Sequence, residues 1–179
     1  MPKVEAVKKE IKVPSGVTVN HKDGELTVKG SKGTLKRTFV HPRVSLKAGK
    51  EAVTITCKGP SRAELGLTGT WESHVKNMFE GVTNGYQYKL RIIFSHFPIK
   101  TSVKGSELSI ENFLGERYPR RALILEGVTV KISGDTITLE GSDKEKVGQT
   151  AANIEKATLV KDYDPRVFQD GIYLISRGD

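Results

Sequence analysis

The feature that most constrains this chain is that it is written twice. At a spacing of 82 residues, Thr54-Ile55-Thr56 returns as Thr136-Ile137-Thr138, Gly59 as Gly141, Gly66 as Gly148 and Thr68 as Thr150. Farther upstream, Leu26 and Val28 return as Leu108 and Ile110, Gly33 as Gly115, and Pro14 as Pro98 after a two-residue drift. A duplication requires each half to bury a core of its own. With 179 residues, 36% of them hydrophobic, each core is that of a small domain of roughly 80 residues.

Each copy has the same grammar. Short alternating segments come first: 17–20, 25–29, 34–40 and 53–57 in copy one; 86–94, 99–104, 107–111, 122–126, 128–133 and 136–140 in copy two. Asp23-Gly24 and Gly134-Asp135 mark hairpin turns between such segments. One helix closes each copy. Ser61…Glu64 and Ser142…Glu145 have capping-box spacing, in which a hydroxyl and a carboxylate satisfy the free N–H groups of a helix start. The helices run to about Glu80 and Leu159, with Leu67, Trp71, Val75 and Met78 on one face of the first and Val147, Ala151, Ile154 and Thr158 on one face of the second. The expected fold class is therefore α+β: two tandem similar domains, each a mostly antiparallel or mixed sheet with one helix packed on one face. The break falls in the Gly81–Gly85 stretch. That gives an N-terminal repeat over 1–82, with 1–10 as a charged extension, and a C-terminal repeat over 83–179.

Charge points to a polyanionic partner. Lys and Arg number 29 against 21 Asp and Glu, a net +8. Residues 1–82 hold fifteen basic and eight acidic residues, net +7; residues 84–121 seven and three, net +4; residues 122–179 seven and ten, net −3. Charge alone nominates the first copy as the stronger phosphate binder.

Motifs for chemistry are missing. His21, His41, His74 and His96 are scattered without metal-ligand spacing. Serines lie in no nucleophile elbow, and there is no phosphate loop or dinucleotide fingerprint. The single cysteine, Cys57, excludes an intramolecular disulfide and fits a buried strand position. Residues 1–10 lack the apolar run of a secretory signal, and no apolar stretch is long enough to span a bilayer. The reading is of a soluble intracellular protein that is not an enzyme, with no cofactor, small-molecule substrate or membrane partner. Gly30-Ser31-Lys32-Gly33 has the spacing of a KH-type clamp, but it sits between strand-like segments and reads as a tight turn.

The polar stretch that carries recognition chemistry is 112–121, Asn-Phe-Leu-Gly-Glu-Arg-Tyr-Pro-Arg-Arg. Arg117, Arg120 and Arg121 can fork onto phosphate oxygens, and Tyr118 can stack on a base or ribose. A solvated hairpin loop is the alternative.

Several blocks resemble one family. Asn112-Phe113-Leu114-Gly115-Glu116-Arg117, the 147–154 run Val-Gly-Gln-Thr-Ala-Ala-Asn-Ile, the 168–173 run Phe-Gln-Asp-Gly-Ile-Tyr and the 77–86 junction look like the universal large-subunit ribosomal protein L-six family, in its archaeal and eukaryotic form. The resemblance covers nearly the whole chain after the first ten residues. It implies a structural constituent of the large subunit of the cytoplasmic ribosome. Such a protein binds large-subunit ribosomal RNA near the sarcin–ricin loop, beside neighbouring ribosomal proteins and the docking region of translational GTPases. It implies that the second copy is the main RNA-binding domain. Carried onto this chain, the candidate RNA-binding residues are Asn112, Gly115, Arg117, Tyr118, Arg120, Arg121, Lys100, Lys104, Lys144, Gln149, Asn153, Arg166 and Arg177. The chain departs from the bacterial branch, whose tail is rich in Lys and Gly; here Asp162, Asp164 and Asp170 surround Arg166.

Overall fold

The structure is a computed structural model that describes residues 6–49, 51–164 and 166–178. The chain divides into two compact units that meet between Gly85 and Tyr86. The first contains β1 (Ala6–Lys12), β2 (Thr18–Lys22), β3 (Glu25–Gly30), β4 (Gly33–Thr38), β5 (Val44–Ala48), β6 (Ala52–Lys58) and α1 (Arg62–Thr83). The second contains β7 (Tyr86–Ile93), β8 (Lys100–Lys104), β9 (Glu107–Glu111), a 3-10 turn at Phe113–Gly115, β10 (Arg120–Leu123), β11 (Val128–Ser133), β12 (Thr136–Gly141), α2 (Lys144–Ala157) and β13 (Gly171–Ser176).

All pairings are antiparallel, and each unit distributes its strands over two sheets. In the first the orders are β1-β6-β5 and β2-β3-β4; in the second they are β11-β12-β7-β13 and β10-β9-β8. The repeat is thus a repeat of chain path, with β1 to β6 and α1 traced again by β7 to β12 and α2. Only β13, on the far edge of β7, has no counterpart among the described residues of the first unit. α1 packs against β1 and β6 of one sheet and β3 and β4 of the other; α2 lies likewise against β10 and against β7, β11, β12 and β13. One helix therefore seals the seam between two sheets.

The repeated residues explain this layout. Leu26, Val28, Ile55 and their counterparts Leu108, Ile110 and Ile137 are all fully buried. Burying each such side chain is worth about 1.5–3 kcal/mol. The threonines on either side of Ile55 and Ile137 point away from the core, as strand alternation requires. The Asp23-Gly24 turn joins β2 to β3 with both residues at positive φ, the geometry of a tight hairpin. Gly30 and Gly33 pair across the β3–β4 hairpin, so that stretch is a turn.

Four expectations need correction. The cap of α2 is Asp143, whose side chain accepts from the Glu145 N–H, and not Ser142. Ser61 caps α1 with the full reciprocal box. Asp143 follows Ser61 at the repeat spacing of 82, so the two helices start in register. Of the expected 1–10 extension, residues 6–10 belong to strand β1, which runs to Lys12 and pairs with β6 from Ala6↔Lys58 to Lys12↔Ala52; residues 1–5 lie outside the described residues. The C-terminal stretch, where no strand is expected, contains strand β13, with Ile172 buried in the core. Finally, Gly33 opens β4 whereas Gly115 sits inside a loop, so these two glycines are not structural equivalents.

Candidate nucleic-acid interface

The second unit's small sheet sets the geometry. In register, Ile110 faces Thr101 and Arg120, and Leu108 faces Val103 and Ala122; these rows point to one side. The rows Lys100–Glu111, Ser102–Ser109–Arg121 and Lys104–Glu107–Leu123 point to the other. Because Ile110 and Leu108 are fully buried, the first side is the core side. The outer side carries Lys100, Lys104 and Arg121, all exposed. Lys104 lies 3.6 Å from Glu111 and Arg121 3.7 Å from Glu107. These are exposed pairs of small net worth that a stronger anion can displace.

Strand alternation thus splits Arg120 from Arg121. Arg120 turns inward. Its Nε and Nη2 donate to the two carboxylate oxygens of Glu116 at 2.8 and 2.6 Å. Its Nη1 donates to the carbonyls of Ala157 and Leu159, both at 3.0 Å. Its guanidinium lies 4.3 Å from the ring centre of buried Phe113. The Arg120 hydrogen bond, more than any other influence, holds the Glu116 carboxyl below the usual carboxylate range. Four of its five donors are used, so Arg120 ties β10, the loop and the C-terminal end of α2 together.

The eight-residue loop between β9 and β10 is built to project. Asn112 (φ 60) and Leu114 (φ 50) are left-handed, as is Gly115 (φ 76). Asn112 Nδ2 donates to the Pro98 carbonyl at 3.1 Å. A Cβ on Gly115 would stand 3.3 Å from Phe97 Cζ, so a glycine is needed there on two grounds. Beyond this anchored base, Arg117 is exposed and has no ion-pair partner among the described residues, and Tyr118 is 85% exposed. A phenol bared to that degree, next to an unpaired guanidinium, suits stacking and phosphate contact.

The helix residues fall elsewhere. Gln149 Nε2 donates to Asn153 Oδ1 at 2.9 Å, and Asn153 Nδ2 donates to the Leu123 carbonyl at 3.1 Å, which fastens α2 to the end of β10. Lys144 sits 5.4 Å over the Tyr86 ring. Arg166 and Arg177, both exposed, flank β13. The structure thus groups Lys100, Lys104 and Arg121 on one sheet face and sets Arg117 and Tyr118 on the loop that leaves it. It gives Arg120, Asn112, Gly115 and Asn153 framework contacts. Phe97, which supports the loop from below, was overlooked in the sequence; the adjoining Pro98, matched with Pro14, was the available signal.

Comparison with known proteins agrees with this architecture. The family model described as "Ribosomal protein L6" matches the chain twice, over residues 13–85 and 97–171. A "Large ribosomal subunit protein uL6" of Methanospirillum hungatei is 49% identical over 97% of this chain and 98% of its own length. Proteins of the same name from Methanococcus vannielii (44% identical; 99% of this chain, 97% of the relative) and Methanosarcina mazei (42%; 97% and 99%) align as fully. On a duplicated frame matched copy by copy and end to end, the chain belongs to the ribosomal protein L6 family.

Proposed function

We propose that this protein is a structural constituent of the large ribosomal subunit of the cytoplasm, that it binds ribosomal RNA mainly through its second unit, and that it does so beside the sarcin–ricin loop, where translational GTPases dock and neighbouring ribosomal proteins gather. The supporting observation is the grouping of Lys100, Lys104 and Arg121 on one outer sheet face beneath a rigidly founded loop that presents Arg117 and Tyr118. Lysines and arginines neutralise phosphates there, and the shape of folded RNA governs fit. No reacting group is required, so the role is to brace RNA. Arg166, Arg177, Lys144 and Gln149 stand as outlying contacts. Asn112, Gly115, Arg120 and Asn153 act by holding the loop and helix in place.

The test is a filter-binding salt series with large-subunit ribosomal RNA. Replacing Arg117 and Arg121 by Ala should weaken binding and flatten the slope by about two phosphate contacts. An unchanged slope would remove both from the interface. Chemical footprinting of the same complex should show protection in the sarcin–ricin loop, and protection elsewhere alone would refute that placement. Co-sedimentation with large subunits in high salt separates an integral constituent from a loosely bound RNA-binding module, which would wash off.

A further inference from the structure

Two chain segments are tied together beside the 112–119 loop. Asp170 is fully buried. Its carboxylate accepts from the backbone N–H groups of Ser95 (3.2 Å) and His96 (3.4 Å) and faces His96 Nδ1 at 3.4 Å. A carboxylate withdrawn from water needs such fixed donors. Here it pins the β7–β8 turn to the segment before β13. The His96 ring then lies 4.8 Å from Phe168, tilted by 30°, and Phe168 lies 4.7 Å from Tyr163, tilted by 49°. The next residue, Phe97, lies over Gly115 in the loop. The stack and the Arg117–Tyr118 loop therefore share one anchored base.

A ring stack that served packing alone would close in the core. This one opens to solvent: Tyr163 is 53% exposed and the His96 side chain 39% exposed. Its surroundings are charged. The Arg166 side chain is exposed and has no ion-pair partner among the described residues. Asp164 is turned back to accept the Arg166 backbone N–H at 2.9 Å. An apolar protein segment would want an apolar rim, whereas exposed rings on a segment that also carries an exposed arginine can complement a nucleotide, base to ring and phosphate to cation.

We propose that the open end of the Tyr163–Phe168–His96 stack receives an unpaired base of ribosomal RNA, with Arg166 on the adjoining phosphate. This rests on the RNA-binding reading above and adds a second point of contact, of a different chemical kind, to the phosphate surface.

The experiment uses the full chain and large-subunit ribosomal RNA. Zero-length ultraviolet cross-linking followed by mass spectrometry should place a nucleotide adduct on the peptide that contains Tyr163 and Phe168. Tyr163→Leu keeps apolar bulk but removes the ring face; it should weaken binding by about 5- to 150-fold while leaving the salt slope unchanged. Tyr163→Phe should restore affinity, which excludes a folding defect as the cause. Arg166→Ala should flatten the slope by about one contact. Wild-type affinity in Tyr163→Leu would overturn the base-stacking site and leave the phosphate surface standing. Failure of the unaltered chain to bind this RNA would overturn both. Loss of subunit incorporation at unchanged RNA affinity would also overturn the proposal, because it would put a protein on the stack.

Discussion

The two units solve one problem in two ways. A helix ends with carbonyls that have no partner within it. In the first unit the small-sheet hairpin reaches the end of α1 itself: Lys32 N donates to the Val82 carbonyl at 2.9 Å, and the Ser31 hydroxyl lies 3.1 Å from the Thr83 carbonyl. The hairpin is short and its tip is spent on the fold. In the second unit a strand residue, Arg120, takes the carbonyls at the end of α2. The loop beyond it is released from that duty, lengthens to eight residues and carries Arg117 and Tyr118 outward. One arginine thus leaves the longer loop free to be the candidate recognition loop.

Removing β13 should have the largest effect on this comparison. Among the described residues it is the one strand the second unit has in addition, and it buries Ile172 against β7. A chain ending at Asp170 should lose at least about 3 kcal/mol from the second unit, through lost burial and ladder hydrogen bonds. Amide exchange should show β7 and β12 opening while β6 stays protected. Equal protection would mean that the extra strand is only an appendage.

Next comes the first unit's cap. A Cβ on Gly30 would meet the Val82 carbonyl oxygen at 2.6 Å and Val82 Cγ2 at 2.8 Å. Gly30→Ala should therefore cost about 1–3 kcal/mol in a denaturant titration. A neutral result would show that the hairpin does not need its close approach to α1.

Arg120→Ala is the matching cut in the second unit and should cost about 1–3 kcal/mol, from lost charged hydrogen bonds and the Phe113 contact. It has a pH signature. Glu116 is held below its ordinary range, so its contribution is present above the unfolded carboxylate value, about 4.3, and is lost as pH falls through the lowered folded value. The variant should lose that acid-side dependence. Stability profiles that stay parallel down to pH 3 would disconnect the fork from the fold.

The smallest effect concerns a position where the copies differ on the core-facing row of a strand. Lys9 faces Ile55 and Leu90 faces Ile137, so the two are equivalent. Lys9 pairs with Glu72 of α1; the second unit has Leu90 in place of Lys9 by strand register and Ile154 in place of Glu72 by the 82-residue spacing, both fully buried. Importing that pair, Lys9→Leu with Glu72→Ile, should be neutral or stabilise the first unit by roughly 1 kcal/mol, since a partly buried ion pair seldom outweighs a well-packed apolar one. Hydrogen bonds from Lys76 and then Lys9 hold Glu72 low, so the variant should also resist acid below about pH 4 better than the parent. A loss of several kcal/mol in urea titrations would show that the ion pair specifies the packing.

The same substitution explains what the sequence hid. Val7, Lys9 and Ile11 occupy the inward row of β1. With a lysine in the middle the apolar alternation fails, and the strand reads as a charged extension. The duplication could have found it, because β7 was recognised and its upstream counterpart falls on these residues. β5 alternates openly as Val44-Ser45-Leu46-Lys47 and was simply passed over. β13 has no counterpart to compare with, so the repeat gives no cue to its Ile172-Tyr173-Leu174 run, which falls in none of the expected strands. The loop 112–121 was visible because its composition is unlike its surroundings. The division of labour between Arg120 and Arg121 was not, since it depends on where β10 begins. Once that strand is placed, alternation alone sends the two side chains to opposite faces. Gross charge favours the first unit, yet it measures no geometry, and the candidate surface follows from which cations share a face.

The position of β13 also bears on how the protein is made. Its partner β7 lies some eighty residues earlier, so the larger sheet of the second unit stays open along one edge until the ribosome has delivered residue 176. The first unit, whose described strands are all paired by Lys58, can settle while its sister is still being translated. An exposed β7 edge during that interval is a template for wrong pairing. Slow release of the last residues, or their early loss to proteolysis, would therefore endanger assembly of the second unit and leave the first sound.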